Sequence, residues 1–359
     1  MDELIKALYG IPVMGLLFQL IGYIIEVVPP IAPLIMRAGT PIALGALCGV
    51  MCERSGVVNI AIEGTMLASA FTGWAVGVAL APYLGESSGL PFGVTPALLI
   101  ALAAALLVAL LISGVHAWLS ITLRADQIIS GTIINIAAFG LTGYLNTILA
   151  PLSPTTAGNF SAFVPPKAVT DLPVVGWIFA MFLNQGPIAM SLILLVVIIQ
   201  ILLFRSRWGL RTRAVGEHPR AVETAGIDVI RLRYRNVMAG GLLAGLAGAF
   251  LSMEATNQFQ AGMSGGRGFI ALAAMIVGRW TPVGAFGAAI LFSSFLALGQ
   301  VIGFNPPSGS LGDILSALPP QTWDALPYLV TIIILAGVVG RSIPPAADGQ
   351  PYEREAGAG

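Results

Sequence analysis

Residues capable of chemistry are few and scattered in this chain. It has 359 residues, with two His, two Cys, 17 acidic and 17 basic side chains. Cys48 and Cys52 stand four apart, which places both thiols on one helical face. No other Cys exists and no His lies nearby, so the pair reads as buried, inert thiols and not as part of a metal set. Neither His116 nor His218 has a Cys or carboxylate neighbour in a recognised metal or triad pattern, and both read as satisfied structural histidines. An ATP-hydrolysing loop of the form G-x-x-x-x-G-K-[ST] needs a lysine after a glycine, whereas the only lysines, Lys6 and Lys167, follow Ile5 and Pro166. The sequence predicts no cofactor, no metal and no catalytic residue. Any ATP hydrolysis must come from another subunit.

The remaining candidates are polar groups set into apolar runs. Asn59 and Glu63 are four apart and share a face with Met66 and Ala70 if one helix runs through them. A carboxylate at that depth faces a bundle interior, a water-filled path or a partner. Alternatively, both side chains bond a broken helix end and never meet a solute. Asn135, and the cluster Glu254, Asn257 and Gln258, are further candidates for a solute pathway, each better explained as a structural or mouth residue than as a ligand.

Those groups need elements to position them. Hydrophobic residues make up 57% of the chain and charged residues 9%, against roughly a quarter charged in an ordinary soluble domain. Apolar runs give expected membrane spans at 11–28, 34–51, 57–81, 96–119, 127–149, 187–204, 236–255, 268–278, 283–302 and 326–340. The expected fold class is all-α: a polytopic membrane protein of about ten helices, some broken or short, in one transmembrane domain over 1–343. The 268–278 segment is too short to cross and is expected to be a half-helix buried among its neighbours. The N-terminal run carries Gln19 and Glu26 and lacks a clear cleavage site, so it is expected to be a first helix and not a cleaved signal.

Eight arginines crowd the segment 205–235, which marks it as cytoplasmic. Alternating spans from there leaves only Arg37, Lys167 and Arg267 of the 17 basic residues outside, with both termini inside. The segment 150–186 is then an extracytoplasmic loop resting partly on the membrane through Trp177, Ile178 and Phe179. The Gly/Ala/Pro-rich stretch 344–359 is expected to be a disordered cytoplasmic tail. Gly240, Gly241, Gly245 and Gly248 predict close helix packing. Gly/Pro-broken stretches at Ser55–Gly56 and at Gly278–Pro282 hint at an internal repeat with broken helices near a pathway.

Inside the basic segment, Gly216, Glu217, His218, Pro219, Arg220, Ala221, Val222, Glu223, Thr224, Ala225 and Gly226 put Pro near a helix start and Gly just past its end. This predicts one short capped helix, marginal alone and therefore held by packing on its own subunit or a partner. A plain surface loop whose arginines only set topology fits the spacing equally well.

Residues 211–226, RTRAVGEHPRAVETAG, resemble the coupling segment of permeases of the branched-chain amino acid and simple sugar ABC importer family. Residues 53–64, ERSGVVNIAIEG, resemble the start of the third span in the nucleoside-importer branch, specifically the second of its two paired permeases. Residues 266–274 and 278–285 provide a third match. The resemblance implies a permease subunit moving a small polar solute, most specifically a nucleoside, by alternating access in a bacterial plasma membrane. It also implies a partner ATPase that engages Gly216–Gly226, a second related permease and an extracytoplasmic substrate-binding lipoprotein. No nucleic-acid partner is expected, because positive-inside topology accounts for the arginines. Permeases for simple sugars or branched-chain amino acids are the near alternatives. A self-sufficient secondary transporter or channel is the distant one, and it would normally carry more ionisable groups at depth than Glu63.

Overall fold

The computed structural model describes residues 12–86, 89–152, 158–172, 175–307, 309–319, 321–333 and 342–353. Their helices, in chain order, are α1 (Pro12–Glu53), α2 (Ile62–Leu84), α3 (Pro96–Ala117), α4 (Gln127–Leu149), α5 (Lys167–Thr170), α6 (Gly176–Leu183) and α7 (Pro187–Arg205). They continue as α8 (Arg207–Glu217), α9 (Pro219–Thr224), α10 (Val229–Phe250), α11 (Arg267–Val277), α12 (Pro282–Phe304), α13 (Ser310–Ser316) and α14 (Gln321–Ile333). There is no strand among the described residues. A π turn extends α3 to Thr122 and another extends α10 to Ala255.

Local chemistry explains where the helices begin. Pro occupies an opening position in α3, α7, α9 and α12, where its missing N–H costs no hydrogen bond. Side chains of Thr95, Asp126, Ser206, Asp228 and Thr281 accept from first-turn amides of α3, α4, α8, α10 and α12. Seven of the helices are long and apolar enough to cross a membrane: α1, α2, α3, α4, α7, α10 and α12.

α10 is the hub, packing on α1, α2 and α3. Its small residues permit the approach: a Cβ on Gly245 would lie 2.6 Å from that of Ala109, and one on Gly240 would lie 2.8 Å from the Cys52 sulfur. The expected close packing at these glycines is present.

Expected spans and observed helices differ in two places, at α1 and at the start of α2. The stretches 11–28 and 34–51 form the single helix α1, which contains Pro29, Pro30, Pro33 and Pro41. Those prolines read as punctuation in the sequence, but packing on α10, α11 and α12 carries the helix through them. The 57–81 span begins later, at Ile62, so Asn59 lies outside the helix that carries Glu63 and the expected shared face does not exist. The 326–340 span falls partly outside the described residues, as do Lys6, Arg341 and Arg354.

Residues 342–353, from the stretch expected to begin a disordered tail, instead cross the arginine-rich end of the bundle. Ala347 is 5% and Tyr352 7% exposed. The Tyr352 ring belongs to an apolar cluster with Val215, Val222, Val229 and Leu232.

Candidate functional site

Two helix breaks meet in three dimensions and build the site. α1 ends at Glu53, and Gly56 turns the chain back at φ 82°. A Cβ there would be both strained and 2.7 Å from the Arg233 guanidinium, so only glycine fits. The second break separates α11 from α12, with Arg279 and Trp280 at φ 54° and 51°, left-handed values that are costly for large residues. Trp280 Nε1 donates to Glu53 Oε2 at 2.6 Å, Arg54 Nε donates to the Trp280 carbonyl at 2.8 Å, and Arg54 Nη2 donates to the Arg279 carbonyl at 3.2 Å. Side chains from one break thus hold the backbone of the other. These partners support Arg279 and Trp280 in their strained conformation.

The other end of α11 is held by Glu63. Its carboxylate accepts from Gly266 N at 2.8 Å and Gly268 N at 2.6 Å, meeting the exposed amides and positive end of the helix dipole with a negative charge. Gly268 has no room for a Cβ, which would lie 2.7 Å from the Glu63 backbone. Asn135 on α4 accepts from Gly64 N at 2.7 Å and donates to the Ile60 carbonyl at 3.0 Å, fixing the start of α2. Together Glu63, Asn135, Phe139, Ser264, Gly265 and Phe269 border an open cleft of about 350 Å³. Phe139 is 61% and Phe269 44% exposed. The cleft therefore offers aromatic faces beside a few polar groups, a composition suited to a small polar or heteroaromatic solute.

The other sequence candidates do not join this cleft. Asn59 is buried, its Oδ1 accepting from Ala61 N at 3.0 Å and its Nδ2 donating to the Cys48 and Cys52 sulfurs. Both thiols are free and buried. Glu254 sits in the π turn after α10 and caps α7, accepting from Ile188 N at 2.8 Å and Ala189 N at 3.2 Å. Asn257 takes a left-handed φ of 58°, and the Gln258 carbonyl accepts from Thr256 Oγ1. His116 Nε2 donates to the Val58 carbonyl at 3.0 Å, so its Nδ1 accepts from Ser130 Oγ at 3.0 Å. That bond ties the first break to α3.

At the arginine-rich end, α8 and α9 form a bent pair joined at His218. Pro219 opens α9, and Gly226 follows it at φ 77°. Glu217, His218, Arg220 and Ala221 are exposed, while Glu223 hydrogen-bonds the Tyr352 hydroxyl. Gly216 packs against the Arg54 carbonyl with no space for a side chain. Burial lowers the Arg54 pKa from its ordinary value, as does the charge of Arg213, and Glu217 opposes both.

Sequence reasoning missed Arg54 as the residue joining the end of α8 to the second break. Its position directly after an apolar run explained it as a topology signal. Phe139 and Phe269 were missed because isolated aromatics in apolar spans carry no local mark.

The sequence matches the family described as branched-chain amino acid transport system/permease component over residues 31–335. The guanosine ABC transporter permease protein NupQ of Bacillus subtilis is 36% identical over 332 residues, covering 92% of this chain and 98% of the relative. The nucleoside ABC transporter permease protein NupC of Lactococcus lactis is 34% identical, covering 87% and 93%. A putative glucose ABC transporter permease protein, TsgC13 of Haloferax volcanii, is also 34% identical, covering 89% and 96%. No solved structure matches. With seven apolar helices, a capped half-helix beside an open cleft, and a family match spanning most of its length, the chain belongs to the permease-component family of branched-chain amino acid transport systems.

Proposed function

We propose that this chain is one of two permeases in an ABC importer of nucleosides in a bacterial plasma membrane. A partner ATPase and an extracytoplasmic capture protein complete the importer. The arginine-rich end faces the cytoplasm, where α9 is the coupling helix and Gly216, Glu217, His218, Pro219, Arg220, Ala221, Glu223 and Gly226 form or flank the ATPase contact. Glu63 and Asn135 position the solute path, which the exposed edge of the cleft leaves for a second permease to close. Asn59, Glu254, Asn257 and Gln258 act as structural residues.

The observation that carries this reading is the continuous connection between the cleft and the C-terminal end of α8, which leads through His218 directly into α9. Gly216 bears on Arg54, and Arg54 and Glu53 grip the C-terminal end of α11 through Arg279 and Trp280. Glu63 holds the N-terminal end of α11 at the cleft. The eleven residues of α11 form a rod of about 16 Å, so a displacement of α9 at ATP binding, passed to the adjoining end of α8 at Gly216, reaches the cleft through a helix gripped at both ends.

The nucleoside class is supported by the similarity to NupQ and NupC, named as guanosine and nucleoside permeases, and by the two aromatic faces. Equal identity to a putative glucose permease favours a sugar as the second reading. The test is ATP-dependent uptake of labelled guanosine, adenosine and glucose by vesicles holding the purified complex. Nucleoside uptake that glucose does not compete supports the first reading. Glucose uptake alone moves the assignment to the second, and uptake by the lone chain without ATP removes both.

A further inference from the structure

Residues 345–353 bond to several elements of the arginine-rich end. Ala347 N donates to the Gly216 carbonyl at 2.8 Å, and Ala346 N donates to Glu217 Oε2 at 3.1 Å. Arg233 Nη1, from α10, donates to the Gln350 carbonyl at 3.1 Å, and its guanidinium lies 5.8 Å from the Tyr352 ring centre. The Tyr352 hydroxyl bonds Glu223 on α9. Beyond it, Glu353 pairs with Arg124, after α3, at 2.7 Å. The segment is anchored to α8, α9, α10 and the α3–α4 turn at once.

This arrangement answers a mechanical problem. α9 has six residues, too few to be stable or stiff alone, and its own flanks are the exposed bend at His218 and the turn at Gly226. A helix that swings on two loops transmits little force. The segment adds a third attachment to α9 through Tyr352, whose hydroxyl bonds Glu223 and whose ring packs with Val222, while its backbone is held on α8 and by Arg233 of α10. Between it and α9 runs a groove of about 740 Å³, bordered by His218, Arg220, Gln350, Pro351 and Glu353.

We propose that residues 345–353 are a strap that fixes the coupling helix α9 to the bundle and supplies the second wall of the ATPase docking surface. The strap and α9 move as one body, and the ATPase subunit of the importer engages both. This rests on the reading of α9 as the coupling helix.

The test uses the complete importer in vesicles, with ATP hydrolysis and nucleoside uptake read together. Deleting residues 346–359 is expected to cut uptake per ATP by about tenfold, within the usual range of coupling energies. Unchanged uptake and hydrolysis overturns the proposal. A deletion that fails to assemble is covered by Tyr352→Ala, which removes the buried ring and is expected to lower the same ratio, while Tyr352→Phe keeps most of it.

A tether provides the opposite test. Arg124→Cys with Glu353→Cys, joined by a short bis-maleimide, is expected to retain uptake because the strap does not leave. Loss of uptake on tethering, reversed by a cleavable linker, means that the strap must detach and overturns the proposal. The double variant Glu217→Ala, Arg220→Ala separates this inference from the reading beneath it. If that variant uncouples uptake from hydrolysis and the strap deletion does not, the strap proposal alone falls. If neither does, both fall.

Discussion

Glu63 does with one carboxylate what two separate caps would otherwise do. Two oxygens accept from two amides of α11, and an amide side chain in the same place has only one acceptor. Glu63→Gln is expected to weaken uptake, and Glu63→Ala to abolish it and lower the thermal midpoint of the purified complex. Losing a charged acceptor from part-buried amides costs about 1–3 kcal/mol. An Ala variant with native midpoint and uptake would show that α11 needs no cap. A second residue carries a pH dependence. Burial raises the Asp348 pKa to about 6 from its ordinary 3.8, although a hydrogen bond with Glu53, the Gly349 amide and the Arg233 charge all oppose the rise. Asp348 therefore binds a proton more tightly when the strap is docked, and its contribution to the strap's hold is full below pH 3.8 and is lost as pH rises through 6. Limited proteolysis should release the strap faster at pH 7.5 than at pH 5, and Asp348→Asn should flatten the difference. At this scale the sequence singled out Glu63 but left open what it bonds. The deciding partner, Gly266, lies 203 positions away, and local spacing says nothing about a contact that distant.

Among the elements, those with local signals were legible and those made by tertiary contact were not. The short helix α9 was readable from Pro219 and Gly226, and the half-helix α11 from the length of its apolar run, because capping and span length are written in neighbouring residues. α1 was read as two spans because proline is a helix breaker in water, whereas inside a bundle the neighbours restrain the chain. The strap resembled a disordered tail by composition, but Ala346, Ala347 and Gln350 are held through backbone groups that composition does not reveal. The glycines of α10 set the tolerance of the whole packing arrangement. Gly245→Leu is expected to drive α10 from α3 and destabilise the fold by about 1–3 kcal/mol or more, read as a lower melting temperature in detergent. A melting temperature equal to that of the parent would mean that the contact with Ala109 is not tight.

For the molecule as a whole, the orientation proposed from arginine placement can be read directly, because both native thiols are buried and free. His218→Cys should react with a membrane-impermeant maleimide only in inside-out vesicles, and Asn159→Cys only in right-side-out ones. The reverse pattern inverts the topology and places α9 beyond the reach of any cytoplasmic ATPase. The grip on α11 also has a consequence for how the chain is made. Eleven residues, the first of them Arg267, are too few to enter a bilayer as an independent span. α11 must be seated by groups already in place, and Glu53, Arg54 and Glu63 are synthesised some two hundred residues before it. The first half of the protein is thus expected to act as an assembly jig for the second, complete once Asn135 has fixed the start of the helix that carries Glu63.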